Sequence, residues 1–143
     1  MARMTADATL TSLLTGGVFT SGLAGEEGIS RDTTPDAFDP DGYLQPCALV
    51  VQQGNIADGQ VVDYDTQTIS SIQRVEIWLY QDRGYATIDA AAARLRTLFL
   101  GHKFSDTFEL WLANVIDRER DRGALNGASL IRQDWQVNSV LQV

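Results

Sequence analysis

The sequence has little of the chemistry that metal sites and covalent cross-links need. Cys47 is the only cysteine and His102 the only histidine among 143 residues. One cysteine cannot form a disulfide within the chain, and one cysteine with one histidine cannot supply a Cys/His zinc site. We therefore expect Cys47 to be a small buried apolar side chain.

Long apolar runs are also missing. No stretch approaches the roughly 18 consecutive apolar residues of a membrane span. The N-terminal stretch MARMTADATLTSLLTGG has an arginine but no continuous apolar run of the kind found in signal peptides. The sequence thus predicts an intracellular, soluble protein that has no membrane partner.

Basic residues are few, with 11 lysines and arginines against 19 aspartates and glutamates and a net charge of −8. Such a balance opposes binding to a phosphate backbone through the surface as a whole. Stable DNA binding is not expected, although DNA passing nearby without adhering would be compatible with this charge.

Catalytic motifs are absent as well. The sequence contains neither Gly-x-Ser-x-Gly nor His-Glu-x-x-His. The glycines of LTGGVFTSGLAGEEG lack the Gly-Lys-Ser/Thr ending of a phosphate loop, and Glu26 and Glu27 would repel a phosphate. His102 follows the end of a predicted helix, where the helix dipole explains a basic residue. We expect no enzyme activity and no cofactor.

The hydrophobic pattern predicts one α+β domain over residues 1–143. Helical spacing indicates helices over 6–15 and from Tyr85 to the capping Gly101, the second with an apolar stripe. Strands are predicted over 47–53, 69–80, 108–117 and 128–143. The order helix, loop, strand, strand, helix, strand, strand predicts a mainly antiparallel four-stranded sheet flanked by two helices, with a long N-terminal loop.

The segment 16–45 is the longest one without clear periodicity. A connection of this length within a compact domain is usually functional or disordered. Its many apolar residues argue against a free linker, so we expect it to pack on its own subunit or on a neighbour. Its candidate interface residues are Phe19, Leu23, Ile29, Phe38 and Tyr43.

Two further segments supply candidate interface residues. In the strand 69–80, alternation assigns Val75, Ile77 and Leu79 to a core, and it assigns two charged and two large aromatic residues to the other face. Charges alternate in sign through DRERDRGALNG, residues 117–127, which predicts a solvated hairpin tip or an arm that exchanges salt bridges with a neighbouring subunit. The candidates are Arg74, Glu76, Trp78 and Tyr80 in the strand and Arg118, Arg120 and Arg122 in the hairpin.

The stretch FDPDGYLQP, residues 38–46, resembles both a tight turn and part of a calcium loop. In an EF-hand register with Gly42 at position six, Ala37 and Ala48 would occupy positions one and twelve, where ligands are required. Pro40, Asp39 and Gly42 are the residues that a turn needs. A turn is favoured, and a small calcium- or ligand-binding domain using Asp36, Asp39 and Asp41 is the alternative from another functional class.

Several segments, taken in order, resemble the small neck and tail proteins of tailed bacteriophages. They are LLTGGVF, GISRDTTPDAFDPDGYLQPCALV, RVEIWLYQ, GYATIDAAAARLRTLF and IRQDWQVNSVLQV. The resemblance is strongest to the tail terminator, or tail completion, proteins, and the related head–tail joining or head-closure proteins share much of this layout.

This resemblance implies a structural virion protein. Such proteins form rings, typically hexamers, that cap the tail tube, stop its growth and join it to the head connector. The implied partners are further copies of the chain, the tail tube protein and the connector or adaptor proteins, with DNA passing through the lumen without specific binding. The implied location is the tail or neck of the virion, and the host cytoplasm during assembly.

Overall fold

A mixed β-sheet connects most of the elements in the computed structural model. The structure describes residues 1–24, 28–52, 56–63, 68–100, 110–120, 125 and 127–142, and only the main chain for 23, 56–63, 68–72, 110–120 and 137–142. The strands are β1 Gly17–Thr20, β2 Cys47–Gln52, β3 Ile56–Asp63, β4 Thr68–Gln81, β5 Leu110–Arg120 and β6 Ser129–Gln142. The helices are α1 Ala2–Thr5, α2 Ala8–Leu13, α3 Ser21–Ala24 and α4 Ala86–Phe99, with a 3-10 turn at Pro35–Ala37. Among these helices, none has the length and hydropathy of a membrane span.

The strand order is β1-β2-β4-β6-β5, and β3 also pairs with β4. Among the strands that the structure describes, β1 and β2 pair in parallel and the other pairs are antiparallel. β6 pairs with β4 from Gln81↔Ser129 to Thr68↔Gln142, so β2 and β3 follow one another along the opposite edge of β4. The predicted α+β class and mainly antiparallel sheet are confirmed, and β1 and β3 add two strands to the four expected.

The helix predicted over 6–15 is observed as α2, and α1, which was not predicted, precedes it. The Asp7 side chain caps α2, because its Oδ1 accepts a hydrogen bond of 2.7 Å from the Leu10 N–H. The same carboxylate binds Arg94 of α4, with Nη2 2.6 Å from Oδ2 and Nε 3.1 Å from Oδ1. These bonds, that from Arg94 above all, hold the pKa of Asp7 below its ordinary value. Asp7 therefore joins the N-terminal helices to α4.

The apolar stripe of α4 packs on one face of the sheet, as predicted. Its buried residues are Ile88, Ala91, Ala92, Leu95 and Phe99. They lie in one core with Ile77, Leu79, Ile131 and Trp135 of the sheet and Leu10 and Leu14 of the N-terminal region. The helix ends at Phe99, and the predicted cap Gly101, with His102 and Lys103, lies outside the described residues.

A buried amide lies within this core. Gln133 of β6 is fully buried, and its Nε2 donates to the Ala92 carbonyl oxygen at 3.0 Å. Its Oε1 accepts a hydrogen bond from Trp135 Nε1 at 3.1 Å. Both ends of the amide are thus satisfied, which is the usual condition for burying a polar group.

The opposite face of the sheet carries a second core, covered by the segment 16–45. That segment contributes Phe19, Ala24, Ile29, Ala37 and Leu44, and the strands contribute Cys47, Leu49, Tyr80 and Leu130. The segment therefore packs on its own subunit, one of the two outcomes expected from its apolar residues. Cys47 is buried as predicted, and burial raises the pKa of its thiol to about 12.

Candidate assembly surfaces

The stretch 38–46 forms a tight turn whose hydrogen bonds centre on Asp39. Asp39 Oδ1 accepts from the Tyr43 N–H at 2.8 Å, and Oδ2 accepts from Gln45 Nε2 at 3.1 Å. Gly42 has a φ of +83°, which glycine adopts without strain. The turn interpretation is confirmed, and both carboxylate oxygens of Asp39 already bond within the chain. Among the described residues, no three acidic, cysteine or histidine side chains form a group that could hold a metal ion.

Arg31 fixes this turn against the preceding part of the segment. Its Nη2 donates to the Gly42 carbonyl oxygen at 2.7 Å, and its guanidinium lies 5.5 Å from the centre of the Phe38 ring. The second contact is within the range of a cation–π interaction. Arg31 was not among the predicted surface residues, since the sequence gives no sign of which carbonyl it would reach.

The candidate interface residues of this segment occupy different environments. Phe19 and Ile29 are 8% and 2% exposed and belong to the second core, so packing within the subunit accounts for them. Phe38 is half-buried against that core. Tyr43 is 59% exposed at the end of the turn, where it pairs with Asp39. Of Leu23 the structure describes only the main chain.

The predicted polar and aromatic face of β4 is graded from buried to exposed. Tyr80 is 6% exposed and lies in the second core, where the segment 16–45 covers it. Trp78 and Glu76 are half-buried, and Arg74 is exposed. Trp78 Nε1 donates to Glu76 Oε2 at 2.8 Å, and the rings of Trp78 and Tyr80 are stacked with centroids 6.5 Å apart. Only the half of this face nearest Arg74 is available to a partner.

β6 completes this face with an ion pair. The register places Arg132 opposite Trp78 and Asp134 opposite Glu76, and the Arg132 guanidinium lies 5.4 Å from the Trp78 ring centre. Arg132 Nη2 donates to Asp134 Oδ2 at 3.3 Å. Arg132 Nε also lies 3.1 Å from Asp134 Oδ1, but the angles at these two atoms are not those of a hydrogen bond, so this contact is an ion pair. The pairing of β4 with β6 brings both residues to this face beside Trp78 and Glu76, a neighbourhood that the sequence alone does not give.

A cleft of about 470 Å³ opens beside the turn. Its lining includes Arg31 and Tyr43 of the segment 16–45, together with Asp82, Leu125 and Ala128. The cleft joins the turn to the end of β4 and the start of β6. It extends the candidate surface at Tyr43 into a concave site.

The candidates in the segment 117–127 are only partly placed. Arg118 and Arg120 lie in β5, which continues to Arg120, and the structure describes only their main chain. Arg122 lies outside the described residues. The prediction of a hairpin tip beginning at 117 is therefore wrong at its start, because Glu119 and Arg120 pair with Leu130 and Ser129 of β6.

A further surface was missed by sequence reasoning. Leu100, just after α4, is 61% exposed, the most exposed large hydrophobic side chain among the described residues. Arg96 is exposed one turn earlier, and Arg3 Nε donates to the Leu98 carbonyl oxygen at 3.1 Å. We call the group Arg3, Arg96 and Leu100 the helix-end patch. Only the docking of α1 beside α4 brings its members together.

Comparisons with known proteins show what the fold resembles. No family model matches the chain, and no curated protein matches it. A solved structure described as the virion of a native gene transfer agent particle contains a chain with a TM-score of 0.61 to this one. The fold is one found in a virion. The match covers 98% of this chain and 90% of that chain at 19% sequence identity, so the likeness lies in the fold over nearly the whole chain.

Proposed function

We propose that the protein is a structural subunit of a tailed-phage virion, a tail terminator that forms a ring on the end of the tail tube. The single observation that carries the proposal is the shared fold with a virion chain over 98% of this chain. The sequence resemblance to tail terminators supports the same role independently. On this proposal the protein works by binding other proteins and carries out no catalysis.

A ring that joins a tail tube to a head connector needs, besides the surfaces through which its subunits contact one another, surfaces for these two other proteins. Both faces of the sheet bear cores covered by the chain itself, so the assembly surfaces are exposed patches around them. The exposed Tyr43 with its adjoining cleft, and the half-buried Trp78 beside the exposed Arg74, are two such patches. We assign them to contacts with the tail tube and the head connector.

The net charge of −8 fits a ring through which DNA passes. A lumen lined by carboxylates would repel the phosphate backbone and keep DNA from adhering. A structure of the ring with a neutral or basic lumen would remove this part of the proposal.

Assembly and tube capping test the proposed role. Size-exclusion chromatography with light scattering should give a ring, about 94 kDa for six chains of 15.7 kDa, alone or once tail tubes are added. Negative-stain images should show the protein at tube ends, and tube growth should stop. A strict monomer that neither forms rings nor binds tubes would contradict the proposal. Binding to the head connector alone would instead indicate a head-closure protein.

Tyr43 offers a sharper test of the tube or connector contact. Tyr43→Ala should weaken capping at least tenfold without changing the thermal midpoint, because the side chain is 59% exposed. Tyr43→Phe keeps the aromatic side chain and removes only its hydroxyl group, so it is the matched control. Equal capping by the alanine variant would exclude Tyr43 from the contact.

A further inference from the structure

The helix-end patch combines positive charge with an exposed apolar side chain. Arg3 and Arg96 are exposed, and Leu100 beside them is 61% exposed. The nearby Arg94 is already paired with Asp7, so the two exposed arginines supply the positive charge of the patch. Arginine with an exposed apolar residue is a composition that protein interfaces favour.

The chain itself holds Arg3 in place. Arg3 Nε donates to the Leu98 carbonyl oxygen at 3.1 Å, near the end of α4. This bond uses one of the five N–H donors of a guanidinium, and the other four lie on its two Nη atoms. Carboxylates and phosphates match the geometry of such donors. The net charge of −8 opposes a phosphate backbone as the partner, so the patch fits a protein surface that presents carboxylates.

The same chain presents carboxylates around the turn that Arg31 fixes. Arg31 Nη2 lies 2.7 Å from the Gly42 carbonyl oxygen, and this bond brings together the parts of the chain that contain Asp32 and Asp41. Both aspartates are exposed, and the exposed Pro40 beside them adds an apolar side chain. We call the group Asp32, Pro40 and Asp41 the acidic turn.

The helix-end patch and the acidic turn lie on opposite faces of the sheet. α4 packs on the face that carries the first core, whereas the segment 16–45 covers the second core on the other face. Residues 29–45 contain four aspartates and one arginine, so the two surfaces also differ in charge. A closed ring repeats one contact between two unlike surfaces of each subunit, and these two surfaces meet that requirement.

We infer that the helix-end patch of one subunit binds the acidic turn of the next copy in the ring. The inference rests on the proposed ring and names its subunit contact. The arginines of the patch bind the aspartates of the turn, and Leu100 packs on Pro40. Complementary charge favours this orientation and disfavours the pairing of like surfaces. It also offsets the repulsion between copies of a chain whose net charge is −8.

Charge reversal on either side tests the contact. Arg96→Glu, and the double variant Asp32→Lys with Asp41→Lys, should each weaken ring assembly at least tenfold. Light scattering across a dilution series measures this loss, with tail tubes present if the original protein requires them. Arg83→Glu is the matched control, because it changes the net charge equally but precedes α4, whereas Arg96 lies in the last turn of that helix. Circular dichroism establishes that each variant is folded, and the milder Arg96→Gln should weaken assembly in the same direction.

Mixing the two defective variants gives the decisive result. In an alternating ring, the carboxylate introduced by Arg96→Glu in one variant would meet the ammonium groups introduced by Asp32→Lys and Asp41→Lys in the other. The remaining contacts would keep the original arginine and aspartates, so the equimolar mixture should form rings although neither variant does so alone. Normal assembly of the variants, or no rescue from folded variants, would overturn this contact and leave the ring proposal intact. Failure of the original protein to assemble, even on tail tubes, would overturn both.

Discussion

The replacement Gln133→Ala should be among the most destabilising changes in the first core. The fully buried amide of Gln133 accepts from Trp135 Nε1, and Trp135 is only 1% exposed. Removing the amide leaves the indole N–H buried without an acceptor, which costs about 1–3 kcal/mol. The cavity left by the shortened side chain adds about 1 kcal/mol.

The expected loss is therefore about 2–4 kcal/mol in the free energy of unfolding, a large part of the roughly 5–15 kcal/mol typical of a domain. Urea denaturation followed by circular dichroism measures this loss: the urea concentration at the midpoint should fall, while the dependence of the free energy on urea concentration stays the same. Gln136→Ala is the matched control on the opposite face of the same strand, where the half-buried side chain should cost under about 1 kcal/mol.

A double-mutant cycle isolates the indole N–H. Trp135→Phe removes the donor, so in that background Gln133→Ala should lose only the cavity contribution, about 1 kcal/mol. A loss below about 1 kcal/mol in the original protein, or the same loss in both backgrounds, would refute the reasoning that the amide is needed to satisfy Trp135.

Three further changes test the fold. Because the pKa of Asp7 is lowered in the folded state, its contribution to stability is present above pH 3.8 and is lost as the pH falls through the folded-state pKa. Asp7→Asn should lower the thermal midpoint at pH 7 more than at pH 3. Gly42→Ala should lower the free energy of unfolding, measured by urea denaturation, by about 1–2 kcal/mol, because Gly42 has a φ of +83° that alanine adopts only with strain. Cys47, with its raised pKa and full burial, should resist alkylation at pH 8 until urea unfolds the chain.

Each of these changes has a control or an opposing result. Asp36→Asn, which removes an exposed carboxylate elsewhere in the chain, is the control for Asp7→Asn. Gly22→Ala should be tolerated, since Gly22 lies in α3 and an added Cβ would meet only the Thr20 hydroxyl oxygen, at 4.0 Å. Rapid alkylation of Cys47 in the folded protein would mean that the second core opens readily.

The elements that could be predicted are those whose pattern is local and long. The apolar stripe of α4 repeats over four turns, and the alternation in β4 fixes which residues face that helix. β3 was missed because Asp58 and Gly59 are typical of turns, and the strand exists only because a long β4 extends beside it. The bond between Asp7 and Arg94 could not be predicted from a local pattern, because the two residues are 87 positions apart in the sequence.

The candidate surface was only partly predictable for a related reason. Alternation gives the side of the sheet on which a residue lies, but not what covers that side. Tyr80 and Phe19 therefore appeared to be interface candidates, although the segment 16–45 buries both in the second core. Tyr43, which closes the turn predicted around Pro40 and Gly42, is 59% exposed.

The position of β6 has a consequence for folding during synthesis. β4 and β5 share no pairing in the described sheet, and each is joined to β6, which lies between them and follows both in the chain. About 60 residues separate the end of β4 from the end of β6, or roughly 3–12 s of translation. During that time one whole edge of β4 has no strand to pair with. The nascent chain is thus most prone to wrong strand pairing just before β6 is made, and a shielding factor would act there.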